Sequence, residues 1–233
     1  MRRLRGLLVV IVVLALLGGG LFLGDGYAEQ QAEDLAAVEL QEHLGTAQPP
    51  AVDIEGSPFL TQVAARTIGS VHVVADDIGA TSDVLLPIAH ADLVLTDITT
   101  TDWFASMAVS HAEGTARMDY SALQGLAKVP LTYVGNGRVQ IVTTASVFGR
   151  EVKAEITGSP RLDVEDQTIT LADPDITVAG VNLPGFTADA LLRALLKPIP
   201  ITGVPLGLRL TSIDPQDSGI HAVVMGDGIP LTR

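Results

Sequence analysis

The 233-residue chain has no cysteine. That excludes a disulfide framework, a thiolate zinc site and a thiol nucleophile. Aromatic residues are scarce, with one Trp, three Tyr and five Phe, too few to build stacking platforms for bases or sugars. Positive charge is also scarce. Three of the 14 basic residues are Arg2, Arg3 and Arg5, so from Asp25 onward 11 basic residues face 27 acidic ones, a net charge of −16. Nucleic-acid binding needs phosphate neutralisation, and docking on anionic lipid heads needs a polybasic cluster; this balance argues against both. Stability has to come from burial of the abundant Val, Leu, Ile and Ala.

Local catalytic and metal motifs are missing as well. There is no Gly-x-Ser-x-Gly elbow and no Ser-x-x-Lys. None of His43, His72, His90, His111 and His221 has a histidine partner three or four residues away, so no helical zinc pair arises. Each reads as a residue of a strand's polar face or of a loop. Gly18-Gly19-Gly20 lies inside an apolar run and cannot be a phosphate loop. The acidic clusters Asp76-Asp77, Asp163-Val164-Glu165-Asp166 and Asp173-Pro174-Asp175 could offer oxygen ligands to calcium, but match no complete EF-hand spacing. They read as solvated loop charge. A Ser/His/Asp triad assembled from distant residues is the one catalytic option left, and nothing local promotes it. No enzyme activity, cofactor or metal is expected.

What the chain does have is an apolar N-terminal run. Gly6 to Gly24 holds nineteen residues without a charge, between Arg5 and Asp25. As a helix it would rise roughly 28 Å, close to the thickness of a bilayer's hydrocarbon core. The preceding arginines place its start in the cytoplasm and everything after Asp25 on the extracytoplasmic, periplasmic side. Residues 1–26 are therefore expected to be an Arg-rich tip and a single-pass transmembrane anchor. A cleaved signal peptide is the alternative; its best cut, after Gly26-Tyr27-Ala28, is a poor site. Residues 27–233 make one exported domain of 207 positions, enough for one good core or two small layers.

Within that domain, Tyr27 to Leu44 reads as a helix with an i+4 row of Ala28, Ala32, Ala36, Leu40 and Leu44, flanked by Leu35. It either packs this face on the domain or stands as a solvated stalk. A strand around Val52 and Ile54 follows, then Gly56-Ser57-Pro58 leads into a helix from about Phe59 to Arg66. Strands are expected through Val71–Ala75, Asp83–Thr100 (with Pro87 marking an edge or bulge) and Thr115–Tyr120, with a helical turn over Ser121–Ala127. Gly135-Asn136-Gly137 is a hairpin signal, because these residues accept positive φ. Period-two alternation then runs through Val139–Ala145, Val152–Ile156, Leu162–Val164 and Ile169–Leu171, the pattern of an antiparallel meander with one dry face. Thr187–Lys197 has an N-cap, a first-turn acid and a last-turn lysine, and is expected to be the helix that covers that face. Two final strands carry Leu206, Leu208, Leu210 and Ile220, Ala222, Val224, joined by a loop from Asp214 to Gly219. The Pro, Phe and Thr shared by Gly56–Thr61 and Leu183–Thr187 are compatible with two similar half-units, or with chance.

The segment Val52-Asp53-Ile54-Glu55-Gly56-Ser57-Pro58-Phe59-Leu60-Thr61-Gln62-Val63, followed by Gly69 to Ile78, resembles the start of the actinobacterial LmeA-like family, also catalogued as DUF2993. The resemblance covers most of residues 27–233. It implies a cell-envelope phospholipid-binding protein linked to mannosylated glycolipid maturation. It also implies an α+β fold of the bactericidal/permeability-increasing protein type, in which a curled antiparallel β-sheet wraps helices. No catalytic motif is carried over.

The expectation is thus a membrane-anchored, exported lipid-binding protein with phospholipid or glycolipid as its partner. Acyl chains would insert between the sheet and the helices Phe59–Arg66 and Thr187–Lys197, lined by Phe59, Leu60, Val63, Phe186, Leu192, Leu195 and Leu196. Trp103, Phe104 and Met107 are read as a membrane-touching rim or as ordinary core. Arg66 and Arg193 could hold a head-group phosphate or be solvated helix residues. Two other readings stay open: a noncatalytic envelope scaffold binding proteins through a sheet edge, and an accessory hydrolase or transferase acting on envelope lipids.

Overall fold

In the β-rich stretch after Ala51, long runs of alternating burial specify strands whose apolar faces need a cover. The structure is a computed structural model that describes residues 24–79, 88–101, 106–127, 129–147, 150–178, 181–182, 198–202 and 204–232. The chain enters as helix α1, residues 24–44. There follow β1 (Ala51–Glu55), α2 (Phe59–Ala65), β2 (Thr67–Ile78), β3 (Ile88–Thr101), β4 (Ser106–Met118) and α3 (Tyr120–Ala127). Next come β5 (Leu131–Gly135), β6 (Arg138–Val147), β7 (Arg150–Asp163), β8 (Thr168–Val178), β9 (Val181–Asn182) and β10 (Ile199–Pro200). A 3-10 turn at Pro205–Gly207 leads to β11 (Arg209–Gln216) and β12 (Gly219–Thr232).

The fold is α+β and mostly antiparallel, as expected. It has two curled, open sheets where one was expected. The first runs β1-β2-β3-β4-β12-β11, and the second β10-β8-β7-β6-β5, with β9 beside β8. The hairpin at Asn136-Gly137 stands as read, with φ of 53° and 67° at those residues.

α1 packs one face on the first sheet. Ala28, Ala32 and Leu40 lie half-buried against the core, and Leu44 is 5% exposed. The stalk alternative falls away for these residues, but Leu35 lies off the buried face and is 71% exposed. Close approach is possible because one rung of the sheet is alanine on four adjacent strands: Ala75, Ala91, Ala116 and Ala222 pair in sequence. All four are buried; Ala75, Ala91 and Ala116 share a cluster with Leu44, Ala222 lies in the adjoining one, and Leu40 packs against both.

One rung is broken across the same four strands. The ladder skips Gly69 opposite Asp97, Asp97 opposite Ser110, and Ser110 opposite Gly228. On either side of the skip the inward residues are three apart instead of two: Ile68 and Val71, Leu95 and Ile98, Val109 and Ala112 are all buried. Asp97 takes φ of 52° there, and its carbonyl accepts the Ser110 hydroxyl at 2.9 Å. Concerted irregularities of this kind bend a sheet and increase its twist.

Several sequence expectations need correcting for extent. β4 begins nine residues before Thr115, because the phase shift at Ser110 disguises its alternation. β7 runs unbroken through Gly158 and Pro160, whereas Val164 lies in the 164–167 turn. Leu206 belongs to the 3-10 turn, with φ of 58°. Asp214, Pro215 and Gln216 are strand and only Asp217-Ser218 turns; β11 is an edge strand, where proline is tolerated. Among the described residues no helix is long and apolar enough to cross a membrane. Of the expected span Gly6–Gly24 only Gly24 is described, at the start of α1; the rest of it, the residue Pro87 and the expected helix Thr187–Lys197 lie outside the described residues.

The two sheets meet along β11 and the β7–β8 hairpin. Gln167 in the hairpin turn donates to the Leu210 carbonyl at 2.9 Å and accepts the Leu210 amide at 2.9 Å. Tyr120 of α3 stacks on Tyr133 of the second sheet and donates its hydroxyl to the Gln216 carbonyl of the first at 2.8 Å. Burial, then the neighbouring Tyr133, pushes the Tyr120 phenol up to about 12.

Candidate functional site

The stretch from Gly56 to Gln62 is a joint in which nearly every residue has a structural duty. Pro58 precedes the first turn of α2 and accepts the Thr61 hydroxyl on its carbonyl at 2.7 Å. Phe59 is buried at 5% exposure in the main apolar cluster. Gln62 donates to the Glu55 and Gly56 carbonyls and accepts the Gly69 amide, so one side chain ties β1, α2 and β2 together. Arg66 closes the helix in a left-handed conformation, and its carbonyl accepts the Thr100 amide of β3.

The amides of the first turn of α2 have no capping side chain from their own segment. They are taken up by a residue more than thirty positions away. Asp25 accepts the Phe59 amide at 2.7 Å and the Leu60 amide at 2.6 Å, and is itself 5% exposed. A buried carboxylate needs such partners, and the helix start needs an acceptor with negative charge. About two turns along α1, Glu33 accepts the Ile54 amide of β1 at 2.9 Å. The base of α1 is thus fixed to β1 and α2 by two carboxylates.

Around this joint the expected site residues separate. Phe59, Val63 and Met107 come together on the main apolar cluster, Phe59 within it and the other two half-buried against it. Leu60, at 41% exposure, and Arg66 face outward. Trp103, Phe104, Phe186, Leu192, Arg193, Leu195 and Leu196 lie outside the described residues. The structure adds residues that sequence reasoning did not place here. Leu162 and Ile169, paired across the β7–β8 hairpin, reach from the second sheet to the same cluster, as do Val204 and Leu206. Ile201 is buried within it. Alternation marked Leu162 and Ile169 as apolar-facing, but nothing local says which core they join.

Two open grooves flank the joint. One, of about 520 Å³, lies between α2 and the start of β2 and is lined by Thr61, Gln62, Ala65, Thr67, Ile68, Gly69, Asp97 and Thr99. The other, of about 610 Å³, lies between α1 and β1 and includes Glu29, Glu33 and Asp53. Burial, and then the carboxylates of Glu33, Asp25 and Asp53, raise the Glu29 carboxyl above its ordinary range. A groove with this charge repels a phosphate head group; the first, nearly neutral groove does not.

The outer face of the first sheet carries four of the five histidines, as the sequence reading expects; His43 instead lies on α1, its ring 3.2 Å from the Glu39 carbonyl. His72 bonds Asp92 at 2.8 Å, His90 bonds Asp76 at 2.7 Å, His111 bonds Asp227 at 2.7 Å, and His221 meets the Ser218 hydroxyl at 3.0 Å. These pairs are partly exposed; His90 and His221 share one rung with Arg117 between them, and His72 and His111 lie on two others. Among the described residues no group of three His, Asp or Glu side chains is placed to hold a metal ion. Asp163 caps its own turn through the Glu165 and Asp166 amides, and Asp175 pairs with Arg138 at 2.6 Å.

No curated protein and no solved structure matches the chain. A family match does exist, and it covers nearly all of the described fold, from the base of α1 into β12: over residues 23–224 the chain belongs to the LmeA-like phospholipid-binding family.

Proposed function

We propose that this is a membrane-anchored, exported phospholipid-binding protein that serves lipid transfer or the maturation of envelope glycolipids. The observation that carries lipid binding is membership of a phospholipid-binding family over residues 23–224. The acyl chain lodges where α2, the inner face of the first sheet and the β7–β8 hairpin converge, against Val63, Met107, Leu162, Ile169 and Leu206. These apolar residues are only half-buried, which leaves surface for a ligand to cover. Burying about eight methylenes at ~0.8 kcal/mol each contributes about 6 kcal/mol, enough for binding in the tens of micromolar range without any reaction.

Anchoring is supported by Asp25. A cut after Ala28 would remove the carboxylate that accepts the Phe59 and Leu60 amides and would fall inside α1, where Ala28 packs on the core. The fold therefore uses residues that a cleaved signal would discard. With Arg2, Arg3 and Arg5 held in the cytoplasm, the domain lies on the extracytoplasmic side. Native mass spectrometry of the full chain, extracted in mild detergent, tests the function: a copurifying phospholipid mass is expected. A bare protein that also takes up no lipid from added vesicles overturns it.

A further inference from the structure

We propose that the outward face of α2, led by Leu60, rests on the surface of the lipid bilayer. This builds on the reading of residues 6–24 as a membrane span, and adds which face of the domain meets the lipid. Asp25 is the first charged residue after the uncharged run that begins at Gly6. Both of its carboxylate oxygens are committed to the first turn of α2, at 2.7 and 2.6 Å. The point at which the chain leaves the apolar run is therefore bonded to α2. Wherever that run ends in a membrane, α2 is at the same level.

The chemistry of this face fits a lipid surface. Residues 56–65 carry no charge, in a chain that has 27 acids. Leu60 is 41% exposed, with Thr61, Ala64 and Ala65 exposed beside it. An exposed leucine on an uncharged helix next to a membrane exit gains by entering the interface, about 0.8 kcal/mol per buried methylene. The Asp25 charge is met by two amides and adds no bare carboxylate at that level. Charge returns at Arg66, directly after α2, and at Asp97 in the groove beside it. Glu29 sits about 6 Å farther along α1, on the aqueous side. The opposite end of the domain is marked by Gly79, whose amide donates to the Leu44 carbonyl at 2.9 Å; it lies a full α1 length away, about 30 Å, and carries Asp76 and Asp77.

Because the chain has no cysteine, one introduced thiol reports one position. The full chain with Leu60→Cys, and separately with Asp217→Cys in the exposed β11–β12 turn, is coupled to an environment-sensitive fluorophore. It is reconstituted into vesicles of phosphatidylglycerol and phosphatidylethanolamine containing spin-labelled lipid. The label at position 60 is expected to shift to the blue and to be quenched several-fold more than the label at 217. Equal quenching overturns the proposal. Ala64→Cys, on the same exposed face, replaces Leu60→Cys if circular dichroism shows that the latter does not fold. Adding Asp25→Ala to the labelled chain is expected to lower the quenching at 60. Unchanged quenching in a folded double variant overturns Asp25 as the link. The readout is independent of bound lipid: strong quenching at 60 in a protein that copurifies no phospholipid sinks the lipid-binding function and leaves this inference standing.

Discussion

At the scale of single residues, Asp25 and His111 show how differently a carboxylate contact counts when it is buried or exposed. Asp25 holds two helix-end amides out of water and accepts both, one on each carboxylate oxygen. Asp25→Ala is expected to cost about 3 kcal/mol, and Asp25→Asn, which keeps one acceptor oxygen, about half of that. Urea unfolding of the full chain in detergent, followed by circular dichroism, measures both. An alanine variant within about 0.5 kcal/mol of the parent would show that water replaces the carboxylate freely. His111, by contrast, stands on the wet face. Its hydrogen bond to Asp227 comes first, with Glu113 adding to it, and together they raise its pKa above the ordinary 6.5. A raised pKa means that the folded state holds the proton more tightly. Its small contribution is complete below pH 6.5 and is lost as pH rises through the folded-state value. The nuclear magnetic resonance titration of the His111 ring should move to lower pH in Asp227→Asn. No movement would assign the shift to something other than that bond.

At the scale of elements, the alanine rung is the feature that sets how closely α1 lies on the first sheet. Ala91 is 2% exposed in the middle of that rung. Ala91→Leu adds three carbons where none fit and is expected to cost about 2–3 kcal/mol, seen as a lower urea midpoint with an unchanged slope. Gly114, two rungs along on the same face, is stricter, because a Cβ there would collide with the Asp92 carbonyl and with Leu93. Parent-like stability of Ala91→Leu would mean that α1 can lift off the sheet without loss. The same elements show what a sequence discloses. The strands around Val139, Ile156 and Ile169 were legible because apolar residues alternate with period two through Val139–Ala145, Val152–Ile156 and Ile169–Leu171, clear of the irregularity between Thr157 and Ser159. β4 was under-read because its inward residues step by three at Ser110, and that step has meaning only beside Asp97 and Gly228 on its neighbours. The helix at Phe59 was legible from Gly56-Ser57-Pro58, yet its cap was not. An acceptor thirty-four residues upstream leaves no local mark. For the same reason Leu60 read as pocket lining, although the fold turns it outward.

At the scale of the whole molecule, two open sheets share one apolar cluster at the end where α2 sits, and this seam is where the lipid reading stands or falls. The first sheet contributes its inner face, and the second contributes Leu162 and Ile169 from its hairpin. If an acyl chain lies in that seam, its affinity depends on side chains from both sheets, and a cut in either wall is felt. Leu162→Ala removes three carbons from one wall. It is expected to weaken phospholipid binding about tenfold, equivalent to about 1.4 kcal/mol. His72→Ala, on the outer face of the first sheet, should leave affinity within about twofold, less than about 0.5 kcal/mol. Titration of the detergent-extracted full chain with a fluorescent phospholipid measures both variants, and circular dichroism checks that each is folded. Equal affinities for parent and Leu162→Ala would place the lipid away from the seam. Weakening in His72→Ala alone would place it on the outer face, where an acid-paired histidine can meet a head group and no wall can hold a tail.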